Sequence, residues 1–386
     1  MNIQTEKKCV VILFGGYSSE YEISLQSAAA VLRHLNSGRF LDHYEIIPVG
    51  ITRDGRWLRY YDSLSALLLQ IESDTWHLDK SCVPSVISPC RGDDSGSPTA
   101  GLLTFFPDGS VRSTPIDMAF PLLHGRNGED GRLQGLIELA GIRLIGCGTL
   151  SSALCMDKYR AHQLAAAAGI SVPAAITLRK QDLVSVSDRA FSPSGCPPAL
   201  SSAQLQDLTC ELTYPLFVKP VKEGSSHGIT RITSHAQLLP AVLEAFTYDD
   251  EVIIEESVSG FEVGCAVLDD GQGGMITGRV DEIELMTEGF FDYRKKYEEI
   301  DSKIHTPARI DPLTEALIAE TARNIYRTLD CRGFARVDMF LTPAHEIVFN
   351  EVNTVPGMTA HSRFPKMLET AGISFGQVLE GLLSYH

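Results

Sequence analysis

Glu351 and Asn353 stand two positions apart, directly after the apolar run Ile347-Val348-Phe349. Alternate side chains of a strand share a face, so the acid and the amide point the same way. A second apolar stretch, FARVDMFL, carries Arg336 and Asp338 at the same spacing. If the two stretches pair as a hairpin, Asp338, Glu351 and Asn353 converge. Two carboxylates and an amide oxygen suit a hard divalent cation such as Mg²⁺, which takes a few such ligands together with substrate phosphates. The competing reading is a charged edge facing water, and the Val and Phe residues on both sides disfavour it.

KPVKEGSSHGIT, from Lys219 to Thr230, puts a lysine at the end of an apolar stretch and a Gly-Ser-Ser-x-Gly turn after it. Such a turn can fold backbone amides over phosphates while Lys219 supplies a point charge. No Gly-Lys-Ser/Thr precedes a helix, so it is not a Walker loop. Alone, the pattern fits a solvated hairpin turn equally well. Beside a candidate Mg²⁺ trio it becomes a nucleotide-site hypothesis.

Elements must hold these groups. Cys9 to Phe14 reads as a buried strand broken by Gly15-Gly16, with Ser19-x-x-Glu22 as a capping box for the helix SLQSAAAVLRHL. A strand over YEIIPVGIT follows, and this βαβ order predicts a parallel sheet. Residues 84–114, rich in Pro, Ser, Gly and Asp, read as a loop insertion. IDMAFPLLHG resumes strand character, GRLQGLIELAGI is a helix ending at Gly141, and SSALCMDKYRAHQLAAAAGI is one long helix opening the next domain. Residues 181–210 read as an exposed excursion. YPLFVKPV, GITRIT, EVIIEESV and FEVGCAVLD are four segments of one antiparallel sheet. The last third offers a helix from Leu313 to Leu329, the two strands above and a C-terminal helix. The fold class is α/β followed by α+β.

At 386 residues, two or three domains are expected. The net charge of −16 argues against coating nucleic acid or an anionic membrane. The apolar run from Val10 to Phe14 is too short for a signal-peptide core, and no stretch of about eighteen apolar residues occurs. Nine scattered cysteines without a C-x-x-C pair signal neither a zinc site nor a disulfide framework. A cytoplasmic enzyme or binding protein fits.

Six collinear blocks then carry a resemblance: FGGYSSEYEISL, PLLHGRNGEDGRLQGLIELAGI, MDKYRAH, FVKPVKEGSSHGIT, ARVDMF and NEVNTVPGMTAHS. Together they resemble the D-alanine–D-alanine ligases of the ATP-grasp superfamily, over nearly the whole chain. The resemblance implies an α/β Rossmann-like, pre-ATP-grasp domain over 1–150. An α+β ATP-grasp domain with two antiparallel sheets would follow over 151–386, its central part about 151–258 and its C-terminal part about 259–386. It implies ATP, with Lys158 and Lys219 on phosphates and Glu255, Val258 and Glu262 on adenine and ribose. It implies two Mg²⁺ ions (or Mn²⁺) on Asp338, Glu351 and Asn353. Glu20 would hold the first substrate's ammonium with Ser225 and Tyr297 as partners, and His124 and Ser362 would line the substrate pocket. Read alone, Glu20 is a first-turn acid of a helix and His124 a loop-packing histidine. A homodimer is the family's usual state.

The implied reaction activates the carboxylate of a first D-alanine as an acyl phosphate, which the amine of a second D-amino acid then attacks. Arg336 and the Gly357 N–H would stabilise the oxyanion, and Lys296 and Tyr297 would come from a closing loop, ELMTEGFFDYRKKYEEIDSKIH. Phe291 and Arg363 resemble the D-alanine–D-serine ligases of vancomycin resistance, where an arginine can hydrogen-bond a serine hydroxyl. Arg363 could instead pair with a nearby carboxylate. A carboxylase-type ATP-grasp enzyme would share the metal trio but not the SSEYE and HGRNGEDG blocks. A dinucleotide oxidoreductase would need a full G-x-G-x-x-G after the first strand.

Overall fold

The computed structural model describes residues 7–91, 100–181, 202–224, 227–285 and 302–384. In the first sheet, β1 (Lys8–Gly15) runs parallel to β2 (Tyr44–Ile51) on one side and to β7 (Met118–Pro121) on the other, with β8 (Arg143–Leu144) beyond. β1 reads as a continuous apolar run because both faces are covered. Val10, Ile12 and Phe14 pack with α1 (Tyr21–Leu35), α2 (Gly38–Leu41) and α3 (Leu64–Ile71), while Val11 and Leu13 meet Leu133 and Ile137 of α4 (Arg132–Leu139).

Two local expectations fail here. The Ser19–Glu22 capping box does not form. Ser18 enters the network instead, donating to the His124 carbonyl (2.8 Å) and accepting from the Glu20 N–H (3.2 Å). Glu20 becomes the N-cap residue of α1, and Glu22 turns out to Arg53. The supposed insertion at 84–114 is largely sheet in its described part. After β3 (Trp57–Tyr60), the strands β4 (Cys82–Ile87), β5 (Leu102–Phe105) and β6 (Val111–Thr114) extend the first sheet antiparallel. Strands this short, carrying Pro84, Ser85 and Ser113, leave almost no apolar alternation to read.

The expected long helix is broken at Asp157 into α5 (Thr149–Met156) and α6 (Lys158–Ala167). Asp157 has extended backbone (ψ 95°) and its carboxylate accepts the Arg160 N–H (2.9 Å), so it starts a new helix whose first residue is Lys158.

Two antiparallel sheets follow. The smaller has the order β11 (Thr230–Ile232), β10 (Leu216–Pro220), β12 (Glu251–Glu256), β9 (Ala175–Arg179). Its core includes Leu205 of α7 (Ser202–Leu208) and Val242 of α8 (Leu238–Ala245). The larger runs β16 (Ser302–His305), β15 (Asp281–Leu285), β13 (Phe261–Asp269), β17 (Phe334–Leu341), β18 (Ile347–Asn353), with β14 (Met275–Thr277) also on β13. FEVGCAVLD therefore leaves the sheet expected for it and pairs with β17, because Val263, Cys265 and Val267 share a core with α9 (Pro312–Thr328). Period-two patterning names a strand's faces, not its partner. The C-terminal helix is likewise two, α10 (Arg363–Thr370) and α11 (Phe375–Ser384). Phe334 and Phe364 join the cluster of Val10 and Phe120, which seats the third sheet against the ends of the first. Among the described residues no helix is long and apolar enough to cross a membrane.

Candidate active site

β17 and β18 pair antiparallel, with Arg336 opposite Asn353 and Asp338 opposite Glu351. The register then shifts, and Met339 faces Phe349. Asn350 is the extra residue, a β-bulge that reverses which face each later side chain uses. Without it Phe349, Glu351 and Asn353 would share a face. With it, Phe349 and Val352 both enter the core, and Glu351 and Asn353 line a cavity of about 720 Å³. The Asn353 amide donates to Asp338 (2.9 Å), and Glu351 stands opposite Asp338 in the ladder.

Asp338 is buried and already engaged: Arg336 Nε (2.8 Å) and Nη2 (2.6 Å) both donate to it. Burial works to lower the Arg336 pKa, but Asp338 outweighs it and holds the guanidinium charged. Arg363, at the first position of α10, lies on Asp338's other side at 3.4 Å. Its Nε and Nη2 grip the fully buried Asp281 at 2.8 Å each, and Nη1 donates to Glu262 at 2.9 Å. Gly264 makes room, since a Cβ there would sit 2.3 Å from Arg363 Nη2. Arg363 therefore stands on the cavity wall and pairs with carboxylates.

Among the described residues no cluster of three or more His, Cys, Asp and Glu side chains is disposed to hold a metal. Glu351 and Asn353 nevertheless put hard-oxygen groups on the cavity wall with Asp338 buried behind them, which fits Mg²⁺ completed by phosphates rather than a closed protein cage.

From the other side comes α6. Lys158 is buried, which pushes its pKa down; its Nζ donates to the Glu223 carbonyl (2.5 Å), and it feels Glu351, Lys219 and Glu255. Lys219 on β10 is ion-paired with Glu255 on β12. Burial works to raise the Glu255 carboxyl, but Lys219 and His162 outweigh it and hold it below its usual range. Lys219, Glu255, Val258 and Glu262 lie off the cavity wall that Lys158, Arg336 and Glu351 share.

The N-terminal domain closes the cavity with Glu20 and His124. His124 is held neutral by burial, with Nε2 3.1 Å from Ser27 Oγ, which also accepts the Met358 N–H (3.2 Å). Gly357 lines the wall near Ser362, whose Oγ a Cβ on Gly357 would approach to 2.7 Å. Ser225, Phe291, Lys296 and Tyr297 lie outside the described residues.

Sequence reasoning missed three groups. Glu129, inside the quoted HGRNGEDG block, accepts from the N–H groups of Gly125 (2.7 Å) and Val355 (3.0 Å), tying the two halves together. Burial, then the Glu20 and Glu351 charges, push its carboxyl up to about 8. His162 follows Lys158 by four residues, a spacing that puts both on one helix face and could have flagged it. Asp281 carried no signal, because its partner Arg363 is 82 positions away.

Comparison with known proteins agrees with this layout. Residues 9–147 match the family described as D-ala D-ala ligase N-terminus, and residues 164–384 match D-ala D-ala ligase C-terminus. The vancomycin B-type resistance protein VanB of Enterococcus faecalis is 38% identical over 97% of this chain and 97% of its own. The D-alanine–D-alanine ligase of Caldicellulosiruptor bescii is 36% identical over 97% and 94%. The crystal structure of VanG D-Ala:D-Ser ligase from Enterococcus faecalis superposes with a TM-score of 0.83 at 47% identity, covering 98% of this chain and 99% of that one. With the whole chain aligned to both halves of these enzymes and the two antiparallel ATP-grasp sheets in place, this protein belongs to the D-alanine–D-alanine ligase family.

Proposed function

We propose that this chain is a cytoplasmic, homodimeric ligase that uses ATP to join D-alanine to a second D-amino acid, D-serine in preference, for peptidoglycan precursors. Residues 1–150 act as the N-terminal domain and 151–386 as the ATP-grasp domain. The observation that carries the reading is the meeting in one cavity of Glu20 and His124 from the first half with Lys158, Arg336, Glu351 and Gly357 from the second. Glu20 takes the ammonium of the first D-alanine. Lys158 and Lys219 take the phosphates, with Glu255, Val258 and Glu262 at the nucleoside. Asp338, Glu351 and Asn353 would hold Mg²⁺, which when bound neutralises charge on the phosphates. The D-alanine carboxylate attacks the γ-phosphorus and ADP leaves; the second substrate's amine then attacks the acyl carbon and phosphate departs. Arg336 and the Gly357 N–H face the oxyanion, donors of a kind worth roughly 3–4 kcal/mol each. Ser225 and Tyr297 are hydrogen-bond partners of Glu20 in this reading, and Lys296 touches the γ-phosphate.

The second-substrate assignment rests on Arg363 and Phe291 and is supported by the likeness to VanG. The hydrogen bonds from Arg363 to Asp281 and Glu262 use three of its five N–H donors and Nη2 also stands 3.4 Å from Asp338, which leaves the second Nη1 N–H to meet a serine hydroxyl from the cavity wall. One such bond favours D-serine over D-alanine by roughly fivefold, or more if its absence strands a buried donor. The likeness to the C. bescii enzyme supports D-alanine as the runner-up. Mass spectrometry of products from D-alanine mixed with equal D-serine and D-lactate separates the readings. D-alanyl-D-serine should dominate; a dominant D-alanyl-D-alanine or D-lactate product overturns the D-serine assignment.

A further inference from the structure

His162 belongs to neither the metal trio nor the lysines, yet it stands between them. It is 3% exposed, one helical turn after Lys158 on α6. Its Nε2 lies 2.7 Å from the carbonyl oxygen of Asn350, the bulged residue that turns Glu351 and Asn353 to the cavity. A carbonyl only accepts, so Nε2 carries the proton and donates. Nδ1 faces Glu255 Oε1 at 3.6 Å, and Glu255 holds Lys219. The ring also stands edge-on to Phe349 at 5.4 Å, so it cannot rotate away without disturbing the core beside the bulge.

A bulge leaves one residue out of the strand ladder, and its carbonyl must find another donor. Here the donor comes from the helix that carries Lys158. We propose that His162 is a positioning residue: its Nε2–H fixes the Asn350 bulge and thereby the aim of Glu351 and Asn353. This rests on the ligase reading above, since it assigns those groups to Mg²⁺. Its consequence is that the helix carrying Lys158 also pins the strand carrying Glu351 and Asn353, so loosening His162 loosens metal binding and strand order together.

The test compares His162→Gln, whose amide nitrogen reaches as far as Nε2, with His162→Leu, which fills similar space without a donor. Two readouts are needed: the Mg²⁺ concentration for half-maximal ADP release at saturating ATP, and amide exchange of the 347–353 segment without ligand. His162→Leu should raise the Mg²⁺ requirement about fivefold, the effect of one buried hydrogen bond, and speed exchange by a similar factor. His162→Gln should stay within about twofold on both. If His162→Leu does not fold, His162→Asn, polar but too short to reach Asn350, takes its place in the comparison. Wild-type exchange and Mg²⁺ dependence in the donorless variant, or equal loss in His162→Gln, overturns the proposal. Glu351→Gln run in parallel keeps the two readings apart: if it leaves Mg²⁺ dependence intact, the metal-site reading has failed rather than the role of His162.

Discussion

Arg363→Leu is the obvious swap for probing second-substrate choice, and its buried partners make a second effect large. Arg363 is 8% exposed and Asp281 is 0% exposed, and the two share a pair of 2.8 Å charge-assisted bonds. Removing the arginine leaves a carboxylate without its counter-charge in the protein interior, which costs about 3–5 kcal/mol. Asp281→Asn keeps the volume and an oxygen to accept the Gly264 N–H (3.0 Å), and leaves Arg363 with Glu262 and Asp338. Its cost is about 1–3 kcal/mol. The double variant no longer buries a bare Asp281 charge, so its loss should fall short of the sum by about 2 kcal/mol. Urea unfolding followed by circular dichroism, with slopes compared across the four proteins, measures this. Losses that add to within about 0.5 kcal/mol would refute the pairing. So would an Arg363→Leu loss below about 1 kcal/mol, for which a surface pair would suffice. Serine preference is best read in the double variant, where stability and specificity are separated.

Three further outcomes are expected. Glu129 has a folded-state pKa raised from 4.5 to about 8, so the stability it contributes is full below about pH 4.5 and is lost as pH rises toward 8. The stability of wild type relative to Glu129→Gln should therefore fall between pH 5 and 8 in thermal melts, and a flat or rising difference would contradict it. Ser27→Ala strands the buried Met358 N–H and the His124 ring, so it should cost about 1–3 kcal/mol and raise KM for D-alanine more than it lowers kcat; unchanged stability would dismiss the link. Gly264→Ala places a methyl 2.3 Å from Arg363 Nη2 and should destabilise by about 1–3 kcal/mol while blunting discrimination between second substrates; wild-type behaviour in both assays would show the arginine is not held there.

The parts of this molecule legible from sequence are those with short-range signatures. The run Val10 to Phe14 was legible as a buried strand, and FARVDMFL and EIVFNEVN as two strands that pair as a hairpin. The bulge at Asn350 was not legible, because its donor, His162, lies 188 positions away. The break at Asp157 was hidden by good helix formers on both sides. Its cue was Asp157 itself, a residue that competes for backbone N–H groups and favours caps over helix interiors. Arg363 shows the limit best. Its place on the cavity wall followed from motif resemblance, whereas its three carboxylate partners come from β13, β15 and β17, and no local pattern brings those strands beside α10.

The most direct measurement is ADP release from the whole chain with Mg²⁺ and ATP, with and without D-alanine, with dipeptide counted by mass spectrometry in the same tubes. Release is expected to depend on D-alanine and to match dipeptide one for one when a second D-amino acid is present. ATP turnover indifferent to D-alanine, or ADP formed with no dipeptide, would contradict the assignment of Glu20, Arg336 and Glu351 to a single ligation site.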